Sequence, residues 1–391
     1  MSTILSNRVQ KIKPSATLAV SEKAKQLKAQ GAKIVSMGSG EPDFDTPVNI
    51  QKAATQAIGA GETRYTAVDG TPQLKKAICE KFKRENGLDY SVNEVMVSSG
   101  GKQVFYNLCQ AILSNGDEVI IPAPYWVSYP DIAILADATP VFIEAGLEQE
   151  FKITAEQLES SINANTKLFV LNSPSNPTGA VYTKSEIESL GKVLERHPHV
   201  HVISDDIYEH IRWEDDAFVN IAMACPNLKD RTIILNGVSK AYAMTGWRIG
   251  YAAGPEEIIK AMKKIQGQST SNPSSISQAA ALEAISGDQS FINIMVEAFE
   301  RRHNFLVDSL NSIDGIECPQ SRGAFYSFPR VQGLIDRLGL KDDVEFSTYC
   351  LDKISLALVP GSAFGAPGYV RLSFATSMDN LKLAIERLSS I

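Results

Sequence analysis

Short apolar segments alternate with stretches of helical periodicity through the middle of the chain, and this alternation limits the possible folds. Seven segments have the length and composition of buried strands: residues 94–98, 118–121, 140–143, 168–172, 200–204, 232–236 and 249–253. Helical patterns such as residues 102–113 and 184–197 lie between several of them. The pattern predicts an α/β fold, a doubly wound, mainly parallel seven-stranded sheet. Because some connections contain no obvious helix, we expect at least one antiparallel strand.

The C-terminal part has a different pattern. Residues 290–313 are typical of one long helix, followed by three strand-like segments at 324–328, 355–359 and 369–374. Helical patterns recur near residues 344–353 and 379–389, which indicates a smaller α+β domain. At 391 residues the chain is long enough for two domains. We therefore expect a large domain over residues 46–289 and a small one from residues 1–45 and 290–391.

Composition excludes several classes of partner. Hydrophobic residues make up 44% and charged residues 21% of the chain, as in soluble globular proteins. The net charge of −7 is spread without a basic block, which argues against nucleic acid or an anionic membrane as partner. Residues 1–15 lack a continuous apolar core, which argues against a signal peptide or a membrane span. We expect a cytoplasmic protein.

Neither cysteine nor histidine spacing favours a metal site. The five cysteines are an odd number without CxxC spacing, which argues against a disulfide framework or a structural zinc. His197, His199 and His201 alternate and could share one strand face as metal ligands. The competing interpretation, a surface turn that leads into an apolar strand, is favoured, and we expect no metal.

Lys240 follows the predicted strand 232–236, at the edge where open α/β sheets bind ligands. From Thr232 to Ala253 the only charged side chains are Lys240 and Arg248. A lysine in a closed pocket loses its proton readily and can form a Schiff base with an aldehyde, while an arginine can bind an anion. An aldehyde that carries a phosphate satisfies both, so the pair predicts a pyridoxal phosphate site. Solvated surface charges are the alternative.

A glycine-rich turn lies between the first of these strands and the helix that follows it, at residues 98–103. Gly100 and Gly101 let backbone N–H groups approach an anion, and the helix dipole adds favourable charge. The nucleotide-binding pattern GxxxxGK[ST] is absent. The turn therefore indicates one half of a phosphate-binding cup.

Polar and aromatic side chains also follow three other predicted strands. Asp205 follows the strand 200–204 and could pair with a pyridine nitrogen. Tyr208 could donate to the ring oxygen of the same cofactor. Asn176 lies in a turn held by two prolines, where its amide could reach a carboxylate or that oxygen. Trp126 could stack on the ring. For Asp205 the alternatives are a solvated loop or a metal-binding edge, for Asn176 a structural turn, and for Trp126 a core tryptophan.

Arg371 interrupts the otherwise apolar segment 369–374. A desolvated guanidinium needs a partner, which could be a fixed carboxylate of the protein or the carboxylate of a substrate. Guanidinium binds a carboxylate through two parallel hydrogen bonds, and we favour the substrate.

In combination these motifs resemble the class I aminotransferases of fold type I, which depend on pyridoxal phosphate, and within them the bacterial-type aspartate aminotransferase branch. The resemblance covers essentially the whole chain. It is carried, in order, by residues 11–17, 40–47, Tyr65, 100–103, 124–130, 172–179, 204–210, 237–250 and 370–373.

The resemblance implies roles for the residues around the cofactor ring. Lys240 would bond to the cofactor aldehyde and later move a proton between the substrate Cα and the cofactor. Asp205 would hold the pyridine nitrogen, and Tyr208 and Asn176 the ring oxygen. Trp126 would stack on the ring beside the substrate.

It also implies how the cofactor phosphate is bound. Arg248, Ser239 and the backbone amides of Gly101 and Lys102 would form the cup. Tyr65 would reach in from a partner subunit. We therefore expect an obligate homodimer with shared active sites.

Substrate recognition is implied in the same way. Arg371 and Asn176 would bind the α-carboxylate, with the backbone of Gly40 closing over it. Lys102, helped by Ser15 and Thr17, would bind the distal carboxylate of a dicarboxylic substrate.

Two positions depart from the family pattern. Members that also use prephenate tend to carry arginine at the position of Ile12, so its absence disfavours that activity without excluding it. Asp206 stands where glutamate is common, and we expect little effect because Asp205 carries the role.

The resemblance implies reversible transfer of the amino group from L-aspartate to 2-oxoglutarate by a ping-pong mechanism. A prephenate, aromatic or neutral amino acid aminotransferase of the same fold is the alternative. An NAD-dependent dehydrogenase is disfavoured because no G-x-G-x-x-G follows a strand. A ligand sensor is disfavoured because the chain carries no DNA-binding extension.

Overall fold

Twelve β-strands and fifteen α-helices make up the part of the chain that this computed structural model describes, residues 4–213 and 216–391. The strands are β1 (Val35–Ser36), β2 (Val95–Ser98), β3 (Glu118–Ala123), β4 (Thr139–Glu144), β5 (Thr166–Asn172), β6 (His201–Asp205), β7 (Thr232–Gly237), β8 (Gly250–Ala253), β9 (Tyr326–Ser327), β10 (Leu356–Ala357), β11 (Val359–Pro360) and β12 (Val370–Ser373).

The helices are α1 (Asn7–Lys11), α2 (Ala16–Ala29), α3 (Val48–Gly59), α4 (Pro72–Lys81), α5 (Gly101–Ile112), α6 (Ser128–Leu135), α7 (Ala155–Ser161), α8 (Lys184–Arg196), α9 (Ile221–Ala224), α10 (Glu256–Ser269), α11 (Ser275–Ser286), α12 (Ser290–Asn311), α13 (Gln332–Leu338), α14 (Asp343–Ile354) and α15 (Met378–Ser389). Within the described ranges, no helix has both the length and the apolar character required to cross a bilayer.

Seven strands form the predicted mixed sheet, in the order β2-β8-β7-β6-β5-β3-β4. Strand β8 runs antiparallel to both of its neighbours, and the other neighbouring strands of this sheet run parallel. Strands β2, β7 and β8 are buried along their whole length. Their nearly continuous apolar sequences suit a sheet that helices cover on both faces. The predictions of a doubly wound fold and of an antiparallel member are confirmed.

The antiparallel direction of β8 decides where its preceding residues lie. Gly250, the first residue of β8, pairs with Ser98 at the end of β2 and with Gly237 at the end of β7. The segment before β8 therefore meets the loops after β2 and β7 at one edge of the sheet. This is the carboxyl edge, where open α/β sheets bind ligands.

The predicted strand at 355–359 is wrong, because the chain forms two strands there in different sheets. Strand β10 pairs parallel with β1, whereas β11 pairs antiparallel with β12. Leu358, between them, is buried in the core, and the chain passes from one sheet to the other at this residue. Strand β1 has two residues, too few to show a period in the sequence.

Two long helices, α10 and α11, were not predicted. Helix α11 packs against α3 and α4 and buries mainly small side chains, including Ala280, Ala281 and Ala284. An alanine-rich helix has little contrast between its faces, which explains why its sequence shows no clear apolar stripe. Helix α4 ends at Lys81, after which residues 82–86 form a wider helical turn.

One hydrophobic cluster fills the C-terminal part of the molecule. It joins Phe299 and Leu306 of α12 with Phe346 of α14 and Leu372 of β12. It also includes Tyr208, in the segment that follows β6. The division into residues 46–289 and the remainder stays a prediction.

Candidate functional site

A cleft of about 500 Å³ lies at the carboxyl edge of the seven-stranded sheet, with residues of α2 on its far wall. It brings together most of the residues that the sequence singled out. Those that line it are Thr17, Gly40, Gly101, Lys102, Trp126, Asn176, Asp205, Tyr208, Ser239, Lys240, Arg248 and Arg371.

Ser15 and Tyr65 do not line the cleft. The Ser15 hydroxyl lies 3.0 Å from the hydroxyl of Thr17, so its contact with the cleft passes through that residue. Tyr65 is 91% exposed on the single chain. Its predicted role in a partner's site stays a prediction.

The Lys240 amine lies in a desolvated part of the cleft. Its Nζ donates a 2.6 Å hydrogen bond to the carbonyl oxygen of Gly40 and lies 5.9 Å from the ring centroid of Tyr208. Burial, reinforced by the charge of Arg371, lowers the pKa of Lys240 to about 8. About a tenth of the amine is therefore neutral and nucleophilic at pH 7, far more than for an ordinary lysine.

Asp205 ends β6 and carries a buried carboxyl group at the floor of the cleft. The Tyr129 hydroxyl donates to its Oδ2 at 2.5 Å, and the backbone N–H of Ile207 donates to its Oδ1 at 3.3 Å. Burial outweighs these hydrogen bonds and raises the pKa of Asp205 to about 6. A carboxylate in such surroundings is suited to pair with a protonated nitrogen of a ligand.

Arg248 and the N-terminus of α5 form a cationic corner of the cleft. Arg248 adopts a positive φ of 58°, and its Nη1 donates to the carbonyl oxygen of Thr245 at 2.9 Å. A side chain at Gly100 would collide with the Arg248 guanidinium, so glycine there permits the close approach. In the described ranges Arg248 forms no ion pair with a carboxylate. Ser239 lines the same cleft, and the combination is suited to an anion.

Arg371 is a buried cation without a carboxylate partner among the described residues. It is 2% exposed, and its Nη1 and Nη2 donate to Asn176 Oδ1 and to the Gly38 carbonyl oxygen, both at 2.9 Å. Its Nε has no hydrogen-bond partner. Burial lowers the pKa of Arg371 from its usual value. The described chain supplies no fixed carboxylate beside this guanidinium, so the position could accept an anionic ligand.

A chain of amides links the turn at 172–179 to Asp205. The backbone N–H of Asn176 donates to Asn172 Oδ1, and Asn172 Nδ2 donates to the carbonyl oxygen of Asp205, both at 2.9 Å. The two strand ends that carry Asn176 and Asp205 are thus fixed relative to each other.

Lys102 and Thr17 lie on different helices that face the cleft, α5 and α2. Lys102 Nζ lies 5.2 Å from the ring centroid of Trp126, and Trp126 meets Tyr129 edge to face. Burial and the nearby charge of Arg248 lower the pKa of Lys102. An ammonium and a hydroxyl therefore stand where a second carboxylate of a ligand could bind.

Sequence reasoning missed two tyrosines of the cleft, Tyr129 and Tyr326. Tyr129 lies three residues after Trp126, within the segment 124–130 that the sequence singled out. That signal was available. Tyr326 gave none, because an aromatic residue in an apolar strand has the appearance of a core residue.

The three alternating histidines do not form a metal site in the described chain. His197 contacts Glu159 at 2.8 Å and His199 contacts the carbonyl oxygen of Asn163 at 3.0 Å. The group of metal-binding side chains found among the described residues is Glu85, Glu209 and His210. The Lys81 ammonium already contacts Glu209 and lies 3.5 Å from Glu85, so both carboxylates are paired with a cation of the protein.

Comparison with known proteins identifies close relatives. The sequence profile of the family "Aminotransferase class I and II" matches residues 32–388. An aspartate/prephenate aminotransferase from Nitrosomonas europaea is 58% identical, over 99% of both chains. A second, from Cereibacter sphaeroides, is 53% identical and covers 99% of this chain and 98% of its own.

Solved structures show the same similarity. The aspartate aminotransferase from Rhizobium meliloti superimposes with a TM-score of 0.95 at 48% identity, covering 100% of this chain and 98% of the other. The Thermus thermophilus aspartate aminotransferase with maleate gives a TM-score of 0.94 at 42% identity, over 100% of both chains. The family-level resemblance drawn from the motifs is confirmed.

The raised pKa of Asp205 predicts a stability gain when its charge is removed. The folded state binds more protons than the unfolded state between pH 3.8, the usual pKa, and about 6. The carboxylate therefore costs stability above pH 6, and the cost vanishes as the pH falls below 3.8. We expect Asp205→Asn to raise the free energy of unfolding by on the order of 2 kcal/mol at pH 7.5.

Urea unfolding of the cofactor-free protein, repeated between pH 7.5 and 4.5, measures this effect. The gain should shrink steadily as the pH falls. Asp352→Asn, at an exposed position of α14, is the control and should have almost no effect. A loss of stability at pH 7.5 for the Asp205 variant would contradict the prediction.

Proposed function

The chain belongs to the class I and II aminotransferase family, and on this premise we propose that it transfers the amino group of L-aspartate to 2-oxoglutarate. The products are oxaloacetate and L-glutamate, and the cofactor is pyridoxal phosphate bound at Lys240. One observation supports this most directly. A lysine of lowered pKa and a buried arginine without a carboxylate partner in the described chain line the same cleft.

The described residues fit the cofactor. Arg248, Ser239 and the N-terminus of α5 offer cationic charge and donors for the phosphate. In the described ranges no carboxylate pairs with Arg248. Asp205 suits the pyridine nitrogen, and Trp126 lies where a ring could stack. When bound, pyridoxal phosphate supplies an aldehyde that takes up the amino group of one substrate and passes it to the next, and a ring that accepts electrons.

Lys240 would serve as the base that removes the proton from the substrate Cα. A base works best when its pKa lies near the operating pH, and burial brings the pKa of Lys240 to about 8. The Gly40 carbonyl holds its Nζ at 2.6 Å, at the cleft wall where the loop 38–41 passes. The amine is thus positioned before substrate arrives.

Asp205 and Tyr208 would determine the protonation state of the cofactor ring. Asp205, fixed by Tyr129, would keep a proton on the pyridine nitrogen through a charge-assisted hydrogen bond. Burial raises the pKa of Tyr208 well above its usual value, so its hydroxyl remains a neutral donor. These contacts would leave the ring electron-poor.

Two cations that line the cleft, Arg371 and Lys102, would recognise the substrate. Each terminal nitrogen of Arg371 keeps a second hydrogen beyond its bonds to Asn176 and Gly38, so the guanidinium can still bind an α-carboxylate. Lys102, with Thr17 beside the cleft, would bind the distal carboxylate of aspartate or 2-oxoglutarate.

We further propose a cytoplasmic homodimer. All five cysteines are free, which suits a reducing compartment. The Tyr65 side chain is 91% exposed on the single chain, so it is free to contact a second subunit. This exposure supports a site to which both subunits contribute.

Lys240→Ala should abolish the half-reaction. The protein loaded with pyridoxal phosphate and mixed with aspartate alone should release about one oxaloacetate per site, and the variant should lose more than about 10⁴-fold of the rate. Stopped-flow absorbance and a coupled oxaloacetate assay measure the release.

Lys264→Ala, at an exposed position of α10, is the control and should keep the wild-type rate. Transamination retained in Lys240→Ala would refute the mechanism. No oxaloacetate from the wild type would refute the function.

Lys102→Ala should discriminate between substrates. Loss of a charge-assisted hydrogen bond to the distal carboxylate should reduce kcat/KM for aspartate by about 10- to 100-fold. With the amino donor alanine, which has no distal carboxylate, the variant should keep the wild-type kcat/KM. Steady-state kinetics with both donors measure the ratio, with Lys102→Arg as the charge-preserving variant. Equal losses for aspartate and alanine would argue against this role.

Prephenate as a second amino acceptor is favoured by the names of the relatives. Both aspartate/prephenate aminotransferases match nearly the full chain. Against it, Ile12 provides no charge for the additional carboxylate. We expect a measurable kcat/KM for prephenate, below that for 2-oxoglutarate, with aspartate as donor. If aspartate and prephenate together yield no oxaloacetate beyond the single half-reaction, prephenate is not an acceptor and 2-oxoglutarate remains the proposed one.

A further inference from the structure

Tyr326, the first residue of β9, touches two residues of the site without having a role in the scheme above. It is fully buried and lines the cleft. Its ring lies 4.4 Å from Arg371 Cζ, and its hydroxyl oxygen lies 2.9 Å from that of Tyr208. One side chain thus joins the proposed carboxylate-binding cation to the proposed donor for the cofactor oxygen.

The ring of Tyr326 offsets part of the cost of burying Arg371. No carboxylate of the described chain pairs with that guanidinium, which lies between Tyr326 and Phe364, 5.0 Å from the ring centroid of Phe364. Aromatic faces attract a desolvated cation and also fix the plane of a guanidinium. Strand pairing holds the arrangement, because Ser373 of β12 pairs with Tyr326.

The hydroxyl of Tyr326 can decide which acceptor the Tyr208 O–H donates to. A hydroxyl that accepts a hydrogen bond keeps its own proton free for another acceptor. Either hydroxyl can donate across this contact, and with Tyr326 as donor the Tyr208 proton remains available to the cleft. The loop 38–41 passes close by, since a Cβ atom on Gly40 would lie 3.3 Å from the Tyr326 hydroxyl. Glycine at that position leaves room for the tyrosine pair.

We propose that Tyr326 is a positioning residue that couples substrate binding to the cofactor. Its ring holds Arg371 for the substrate carboxylate, and its hydroxyl directs the Tyr208 proton to the cofactor ring oxygen. The inference rests on the function proposed above and adds a residue that acts through two others.

Two substitutions separate the ring from the hydroxyl. Tyr326→Phe keeps the ring, so the dissociation constant of the dicarboxylate maleate should stay within about twofold of wild type. Weaker donation to the ring oxygen should raise the pH midpoint of the bound cofactor's absorbance change by about half a unit. Tyr326→Leu also removes the ring, and maleate should bind about tenfold more weakly.

Tyr182→Phe is the matched control. It also removes one buried tyrosine hydroxyl, which accepts a hydrogen bond from the Ile153 N–H at 2.9 Å outside the cleft lining. It should change neither the midpoint nor maleate binding, although its cost in thermal stability should resemble that of Tyr326→Phe.

The outcomes are distinct. An unchanged midpoint in Tyr326→Phe, or wild-type maleate binding in a folded Tyr326→Leu, overturns the proposal. If the leucine variant does not fold, the midpoint of Tyr326→Phe alone decides. Failure of the proposed function would appear differently, as a wild-type protein that neither binds maleate nor releases oxaloacetate.

Discussion

Cations held out of water, with no carboxylate paired to them in the described ranges, dominate the cleft. Lys240 and Arg371 are both desolvated, and burial lowers both of their pKa values. Removing a charge from water costs several kcal/mol unless a partner replaces the solvent. The described chain provides carbonyl oxygens, an amide and aromatic faces in place of a carboxylate. Burial of these cations therefore lowers the stability of the free protein, and the large hydrophobic core offsets this loss. An anionic substrate and a phosphate would relieve it.

Strand direction places these cations together. Because β8 runs antiparallel to β7, Arg248 returns to the edge where Lys240 leaves the sheet. The same register sets Gly250 opposite the end of β2, beside the turn that begins α5. Glycine at position 100 then allows the Arg248 guanidinium to approach that turn. One antiparallel strand in a parallel sheet thus brings three separate segments, with Arg248 and Lys240 among them, to one edge of the sheet.

Residues whose chemistry conflicts with their surroundings could be predicted from the sequence. Lys240 and Arg248 are the sole charges in an apolar stretch, and Arg371 interrupts an apolar strand. Tyr326 could not be predicted in this way, because a buried aromatic residue is an ordinary core residue and its hydroxyl partner is distant in sequence. The division of residues 355–359 between two sheets was hidden for a related reason. Pairing partners are tertiary information, and β10 and β11 have two residues each.

The site joins parts of the chain that the sequence assigns to different domains. Lys240, Asp205 and Tyr208 come from the region of the large sheet, whereas Arg371 and Tyr326 come from the C-terminal strands. The rings of Phe325 and Tyr326 each meet the Tyr208 ring edge to face. The Phe325 and Tyr326 rings are tilted against each other. Aromatic contacts of this kind resist rotation of the rings they hold. A ligand bound to both Arg371 and the cofactor would therefore act on the two regions through one rigid aromatic layer. In that arrangement the position of a substrate carboxylate at Arg371 would constrain the Tyr208 hydroxyl, which would face the cofactor.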